Sequence, residues 1–387
     1  MPFDCEPRRR FGPDICLTTC PAASPGATFH FARVEQAEEL PPPEPEAVDI
    51  AVLDMHHGWP NLGHDAIIYA IQTIVCDMQQ ALAEARLRVR AISYDVRRGL
   101  VIPEPPRGRH GLYIGTGGPA HLDPSRNDGV SEGSQGIRED PSWEPGLFRL
   151  FDAIRSDADA ALFAVCHTFG VMCRWLGIAE AVLRGPEKGG KSSGVVENIL
   201  TPDALRHPWF ARLAASARRQ GRVLALDSRL YDMIPVRGRF PADVTPIGYE
   251  ATAIGGPQGD ALTMMEVARD RRHVMPRIFG VNHHPEIVNR QRQITILKKK
   301  FERGNVSREW YEERMATLTE PVADPDGDRL LHLTSSYTLM APMRFYLHRL
   351  VRERAESLGR PTTISESSAA VTYDEVGEAR ASAARTP

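Results

Sequence analysis

Apolar residues along the chain follow two rhythms. Val48 to Asp54 runs almost unbroken, the mark of a strand buried on both faces. A turn-rich loop, Met55 to Gly63, separates it from a stretch in which Ile67, Ile71, Ile74, Val75, Met78 and Leu82 share one helical face to about residue 85. Leu87 to Tyr94 and Gly111 to Gly115 supply two more strands. A polar stretch from Asp123 to Pro145 then leads to a helix near Leu147 to Arg155 and to a fourth strand, Ala161 to Val165. Strands alternating with helices predict a parallel sheet with right-handed crossovers, whose working residues gather at the carboxyl ends of the strands.

Beyond Gly185 the rhythm shortens. Strands are expected at 193–200, 222–228, 246–254, 261–268 and 277–282, mostly joined by tight turns, as an antiparallel extension of the same sheet. Helices are expected at 286–303, 307–318 and 336–356. The pattern divides the chain into a Pro-rich, poorly ordered N-terminal arm over 1–47, one catalytic domain over 48–320, a packed helical extension over 321–357 and a disordered tail over 358–387. The fold class is α/β, a mixed, mostly parallel sheet between helices.

Composition narrows the function. The chain has 387 residues, 42% of them hydrophobic and 25% charged, enough for one large core in an enzyme-sized protein. A net charge of -3 argues against nucleic acid, and Lys298-Lys299-Lys300 reads as a solvated helix face. No apolar run is long enough to span a membrane and the first residues lack a signal core, so the expectation is a cytoplasmic protein. The six cysteines are too unevenly spread to suggest a disulfide framework. Neither Cys5, Cys16, Cys20 and His30 nor Asp54, His56, His57 and His64 match a metal-ligand spacing, so no metal and no cofactor are expected.

The chemistry centres on Cys166. It stands where the strand Ala161–Val165 breaks into a helix marked by Val171, Met172, Trp175 and Leu176. Such a turn exposes the side chain at the sheet's carboxyl edge, and the helix N-terminus both lowers a thiol pKa and cradles an oxyanion. A buried cysteine after an apolar run is more often packing, so its company matters. Gly117-Gly118, at the end of another strand, allows backbone N–H groups to approach a carbonyl oxygen, and the N–H of His167 offers a second donor. His284-Pro285-Glu286 follows an apolar strand, with the proline fixing a turn that lets the imidazole face the thiol while the carboxylate orients it.

The set Gly117-Gly118-Pro119, Cys166 on an elbow and His284-Pro285-Glu286, in that order, resembles the class I glutamine amidotransferases over roughly residues 48 to 290. Within these it is most similar to the guanylate-synthetase-type amidotransferase domain standing alone. The resemblance implies a flavodoxin-like three-layer sandwich and a catalytic triad. Cys166 would attack the glutamine side-chain amide, His284 would act as base and then acid, and Glu286 would orient it. Ammonia would be released and a glutamyl thioester hydrolysed. No segment reads as an ammonia-accepting synthetase, so the implied partner is a separate synthetase or acceptor enzyme. The chain departs from the family in having Ala164 and Thr168 where the elbow has glycines, and Gly170 where a glutamine helps bind substrate.

Other readings remain. The homoserine acyltransferases of Cys-His-Glu type share this architecture, and Lys191, Ser228, Arg229 and Tyr231 are similar in placement to that branch; Arg229 could pair with a substrate carboxylate. Both enzymes pass through a thioester and differ in whether water or an acceptor's hydroxyl or amine resolves it. A noncatalytic regulatory protein of the same fold is the third reading.

Overall fold

In the computed structural model, residues 28–59, 61–186, 190–238, 240–319 and 326–364 are described. Ten strands form one sheet. In chain order they are β1 (Phe29–Val34), β2 (Ala47–Asp54), β3 (Arg88–Asp95), β4 (His110–Gly115), β5 (Ala161–Val165), β7 (Ser192–Leu200), β8 (Arg222–Arg229), β10 (Thr245–Ala251), β11 (Gln258–Arg269) and β12 (Pro276–Val281). Two further strands, β6 (Ala179–Leu183) and β9 (Tyr231–Pro235), pair as a separate antiparallel ribbon. The order across the sheet is β1-β3-β2-β4-β5-β12-β11-β10-β7-β8. Strands β1 to β12 in that order are parallel, and the remaining pairs are antiparallel. This is the mixed α/β sheet that the pattern predicts.

Period-two alternation sorts each central strand between two layers. Ile50, Val52, Ile114, Phe163 and Val165 face a core built with α1 (Leu62–Asp77), α6 (Phe210–Ala217), α9 (Gly327–Ser335) and α10 (Ala341–Ser357). Ala51, Leu53, Tyr113, Leu162 and Ala164 face a second core built with α3 (Trp143–Ser156) and α4 (His167–Leu176). Every residue of β2 is buried, as a strand covered on both faces requires. The short α2 (Gln79–Glu84) and α5 (Pro202–Arg206) complete these layers, while α7 (Arg290–Glu302) and α8 (Arg308–Thr319) form a hairpin against the start of α1.

Several expectations need correction. The segment 1–47 contributes β1, an edge strand paired along its length with β3, so the sheet begins before Val48. The ribbon of β6 and β9 has no counterpart among the expected elements. Helix α7 starts later than expected because Pro285–Ile287 forms a separate tight helical turn. A π-helical turn, Ser336–Met340, joins α9 to α10. Within the lysine run, Lys300 is buried and paired with Asp65 at 2.8 Å, so the run is not simply a solvated face. Cys76 is disulfide-bonded, and Cys166 and Cys173 are free; both are buried, so the elbow does not expose the Cys166 side chain as expected. Cys5, Cys16 and Cys20, and most of the expected tail, lie outside the described residues. No helix among the described residues is long and apolar enough to cross a membrane.

Candidate active site at the carboxyl edge of the sheet

Sheet order explains why residues far apart in the chain meet. β4, β5 and β12 are adjacent and parallel, so Gly117, Cys166 and His284, which follow them, emerge side by side. Cys166 continues the pairing through its N–H, bonded to Val281 O at 2.7 Å, and then turns sharply with φ 48° and ψ -100°. A left-handed φ on a residue with a side chain costs of order 1–3 kcal/mol and persists only where its surroundings enforce it. Here the strained residue is the N-cap of α4, as in a nucleophile elbow.

His284 is held from three sides. Its N–H bonds Leu226 O at 2.8 Å, its Nδ1 meets Glu286 Oε1 at 2.8 Å, and its imidazole lies beside the Cys166 sulfur. Burial alone would lower the imidazole pKa. The Glu286 carboxylate and the Cys166 sulfur override that and raise it well above the ordinary value. A Cβ on Gly117 would lie 3.0 Å from His284 Cε1 and 3.5 Å from Cys166 Cβ, so its backbone lines the same space as the thiol and the imidazole. Because the Cys166 N–H is committed to the sheet, the next amide, that of His167, is the first helical N–H available to an oxyanion. The His167 ring is buried beside Gly118, and desolvation, with Arg97 and His56 adding to it, lowers its pKa so that it stays neutral.

The departures at the elbow have local explanations. A side chain on Gly115 would collide with Thr168, so the glycine missing from position 168 is matched by one on the neighbouring strand. Thr168 Oγ1 in turn donates to Thr116 O at 2.7 Å and fastens the elbow to the Gly117 loop. At Gly170, the space where a side chain would begin is filled by Leu122.

The expected substrate-binding residues separate into two groups. Lys191, just before β7, and Ser228, on β8, meet the helix hairpin instead. Ser228 lies two residues beyond Leu226, the partner of His284, and its Oγ accepts from Arg314 at 3.0 Å. Lys191 Nζ bonds Glu313 at 2.6 Å. Arg229, by contrast, is buried within carboxylates: it bonds Asp227 at 2.6 Å, Asp232 at 3.0 Å, and also Glu250. Burial would lower its pKa, but Asp227, Glu250 and Asp232 raise it, which marks a structural charge cluster instead of a substrate hook. Tyr231 donates its hydroxyl to Gly133 O at 3.0 Å and packs edge-on against His121, so it braces a loop.

One support escapes a reading of the sequence. Arg97 is fully buried and donates to Met55 O and to Pro119 O, both at 2.8 Å, tying the loop after β2 to the Gly117-Gly118-Pro119 loop. Its other nitrogens pair with Glu139 at 2.6 and 2.7 Å, and Asn127 and Trp143 hold that carboxylate. Nothing local in the sequence marks this arginine. The histidines after β2 also scatter: His56 pairs with Asp54 at 3.1 Å, while His64 bonds Ser93 at 2.8 Å. Among the described residues no group of three or more His, Cys, Asp or Glu is arranged to hold a metal ion.

No protein-family model and no curated protein matches the chain. Among solved structures, the protein SMU.1228c is 14% identical with a TM-score of 0.41, over 78% of this chain and 98% of that one. A Thermoplasma acidophilum protein provisionally named as part of a GMP synthase is 10% identical with a TM-score of 0.34, over 61% of this chain and 84% of its own. A ThuA-like protein from Bacteroides uniformis ATCC 8492 is 8% identical with a TM-score of 0.32, over 61% and 82%. Likenesses this weak carry no functional argument, and the fold class rests on the strand order itself.

Proposed function

We propose that this chain is an enzyme that cleaves an amide, with the side chain of glutamine as the leading candidate, through a covalent thioester on Cys166. The observation that carries the reading is the run of contacts from a strained cysteine to His284 and on to Glu286 at 2.8 Å. With its raised pKa His284 already holds the proton drawn from the thiol, the thiolate attacks the carbonyl carbon, and the oxyanion forms among the amides of Gly117, Gly118 and His167. Collapse breaks the C–N bond, with His284 returning the proton to the departing nitrogen. An incoming nucleophile, deprotonated by the same imidazole, then attacks the thioester and frees the thiol. Glu286 fixes the tautomer and balances the charge on the ring. Ammonia released in this way passes to an acceptor enzyme on another chain. The test is ammonia release from glutamine by the purified protein and by Cys166→Ala: turnover in the first and none in a folded second supports the reading, and equal rates overturn it.

One observation favours a second reading. Leu122 fills the space next to Gly170, where the resemblance places a glutamine that helps bind substrate. An acyltransferase with the same triad needs no such side chain, and its thioester would be resolved by an acceptor's hydroxyl or amine. Acyl transfer from a short acyl thioester, with no ammonia from glutamine, would select it.

A further inference from the structure

The α7–α8 hairpin brings charge to β8, the strand whose Leu226 carbonyl holds the His284 backbone. Helix α8 buries only Leu318 among its described residues, yet it projects Glu313 and Arg314 toward the ends of β7 and β8. Arg314 Nη1 reaches Ser228 Oγ at 3.0 Å, and Ser228 is two positions along β8 from the residue that holds the His284 backbone. Lys191, just before β7, bonds Glu313 at 2.6 Å, and Glu313 lies 3.7 Å from Arg314. Two cations therefore share one carboxylate, and that carboxylate is half exposed on a surface helix. Exposed ion pairs are weak and exchange readily, so Glu313 can yield its place.

We infer that Lys191 and Arg314 form a binding site for the carboxylate of the substrate, with Glu313 occupying it as an internal stand-in until substrate arrives. The inference rests on the proposed chemistry at Cys166 and adds the substrate class: a donor or acceptor bearing a carboxylate, which bridges the two cations while its reacting carbonyl meets the sulfur. The electrostatics agree. Burial and the nearby Arg314 both lower the Lys191 pKa, as expected where positive charges crowd together, whereas Glu313 and the Cys166 sulfur act in the opposite sense. A guanidinium also offers a carboxylate two parallel donors.

The experiment compares iodoacetate with iodoacetamide at Cys166, read by intact mass. Both reagents form the same thioether bond with loss of iodide and differ in carrying a carboxylate or a neutral amide, so the ratio of their rates cancels the reactivity of the thiol. The folded protein is expected to favour iodoacetate over the ratio for the unfolded chain, and added salt should erode the preference. Lys191→Met and Arg314→Met should each lower the ratio about three- to tenfold, and Glu313→Gln, a surface change, should raise it by about the same factor. A thiol fast toward iodoacetamide with one unchanging ratio across all variants overturns the carboxylate site alone. A folded protein whose Cys166 resists both reagents overturns the site together with the proposed chemistry.

Discussion

Ser335 donates a 2.6 Å hydrogen bond to the carbonyl of Pro285 and so ties the C-terminal helices to the turn that carries Glu286. Ser335 is buried, and the π-helical turn begins at the next residue. Such turns are uncommon and are found disproportionately at functional sites. The helices after residue 326 are thereby part of what aims the triad. Ser335→Ala removes the donor from a buried carbonyl and is expected to cost about 1–3 kcal/mol. It should also lower kcat with little change in KM. Ser335→Thr keeps the hydroxyl and should recover most of the rate, and equal kcat in all three proteins would show that the contact serves stability alone.

Gly63 leaves room for the orienting carboxylate. A Cβ there would sit 2.7 Å from Glu286 Oε1, closer than real contacts allow. Gly63 lies in the first turn of α1, where alanine should favour the helix by roughly 0.5–1 kcal/mol. Displacing the buried Glu286 from His284 outweighs that gain, so Gly63→Ala is expected to be less stable than the parent by about 1–3 kcal/mol and to lower kcat by about tenfold or more. Denaturation and steady-state rates on one preparation check both halves, and an unimpaired kcat would contradict the geometry.

Leu122 and Gly170 form a coupled pair, since a side chain on Gly170 would occupy the space that Leu122 fills. Gly170→Gln alone should destabilise the protein by about 1–3 kcal/mol through overpacking. Leu122→Ala should relieve part of that when combined with it, a coupling that a double-mutant cycle measures. Additive effects would mean that the two positions do not share this space.

Stability should fall on mild acidification. Burial lowers the pKa of His283 to about 3 and of His110 to about 4, so both are neutral in the folded protein. The unfolded chain binds protons at these sites below about pH 6.5. Their contribution is therefore complete above that pH and is lost as pH falls toward the folded values, at about 1.4 kcal/mol per pH unit for each group. His284 works in the opposite sense: its raised pKa adds stability below about pH 6.5 that disappears as pH rises through the folded value. Between pH 6.5 and pH 5 His284 is protonated in both states and adds no slope, so the depressed histidines, His167 among them, are expected to lower the urea midpoint across that window. His110→Gln should flatten that slope, and a midpoint independent of pH would refute the assignment.

The parts of this molecule written in local patterns are legible in the chain itself. Apolar runs mark β2 to β5, and the break after Val165 locates the elbow, because both depend on near neighbours in the chain. β1 carries no such signal, since only Val34 of its six residues is buried at the sheet edge and it pairs with β3, about sixty residues away. Arg229, similar in placement to the acyltransferase branch, could pair with a substrate carboxylate or sit in a surface ion pair, and sequence shows only its near neighbours Asp227 and Asp232. Glu250, which completes the buried network, comes from another strand. Arg97, Ser335 and Arg314 stay hidden for the same reason: each acts through a partner that only the tertiary fold supplies.

The most direct test of the whole account is intact-mass analysis after brief incubation with glutamine, a glutamine-mimicking alkylator and short acyl thioesters in parallel. The triad geometry predicts an added acyl or alkyl mass on Cys166 from at least one of them, absent from Cys166→Ala, and weaker in Glu286→Gln. No adduct from any donor on a folded protein, or undiminished turnover in Cys166→Ala, would contradict it.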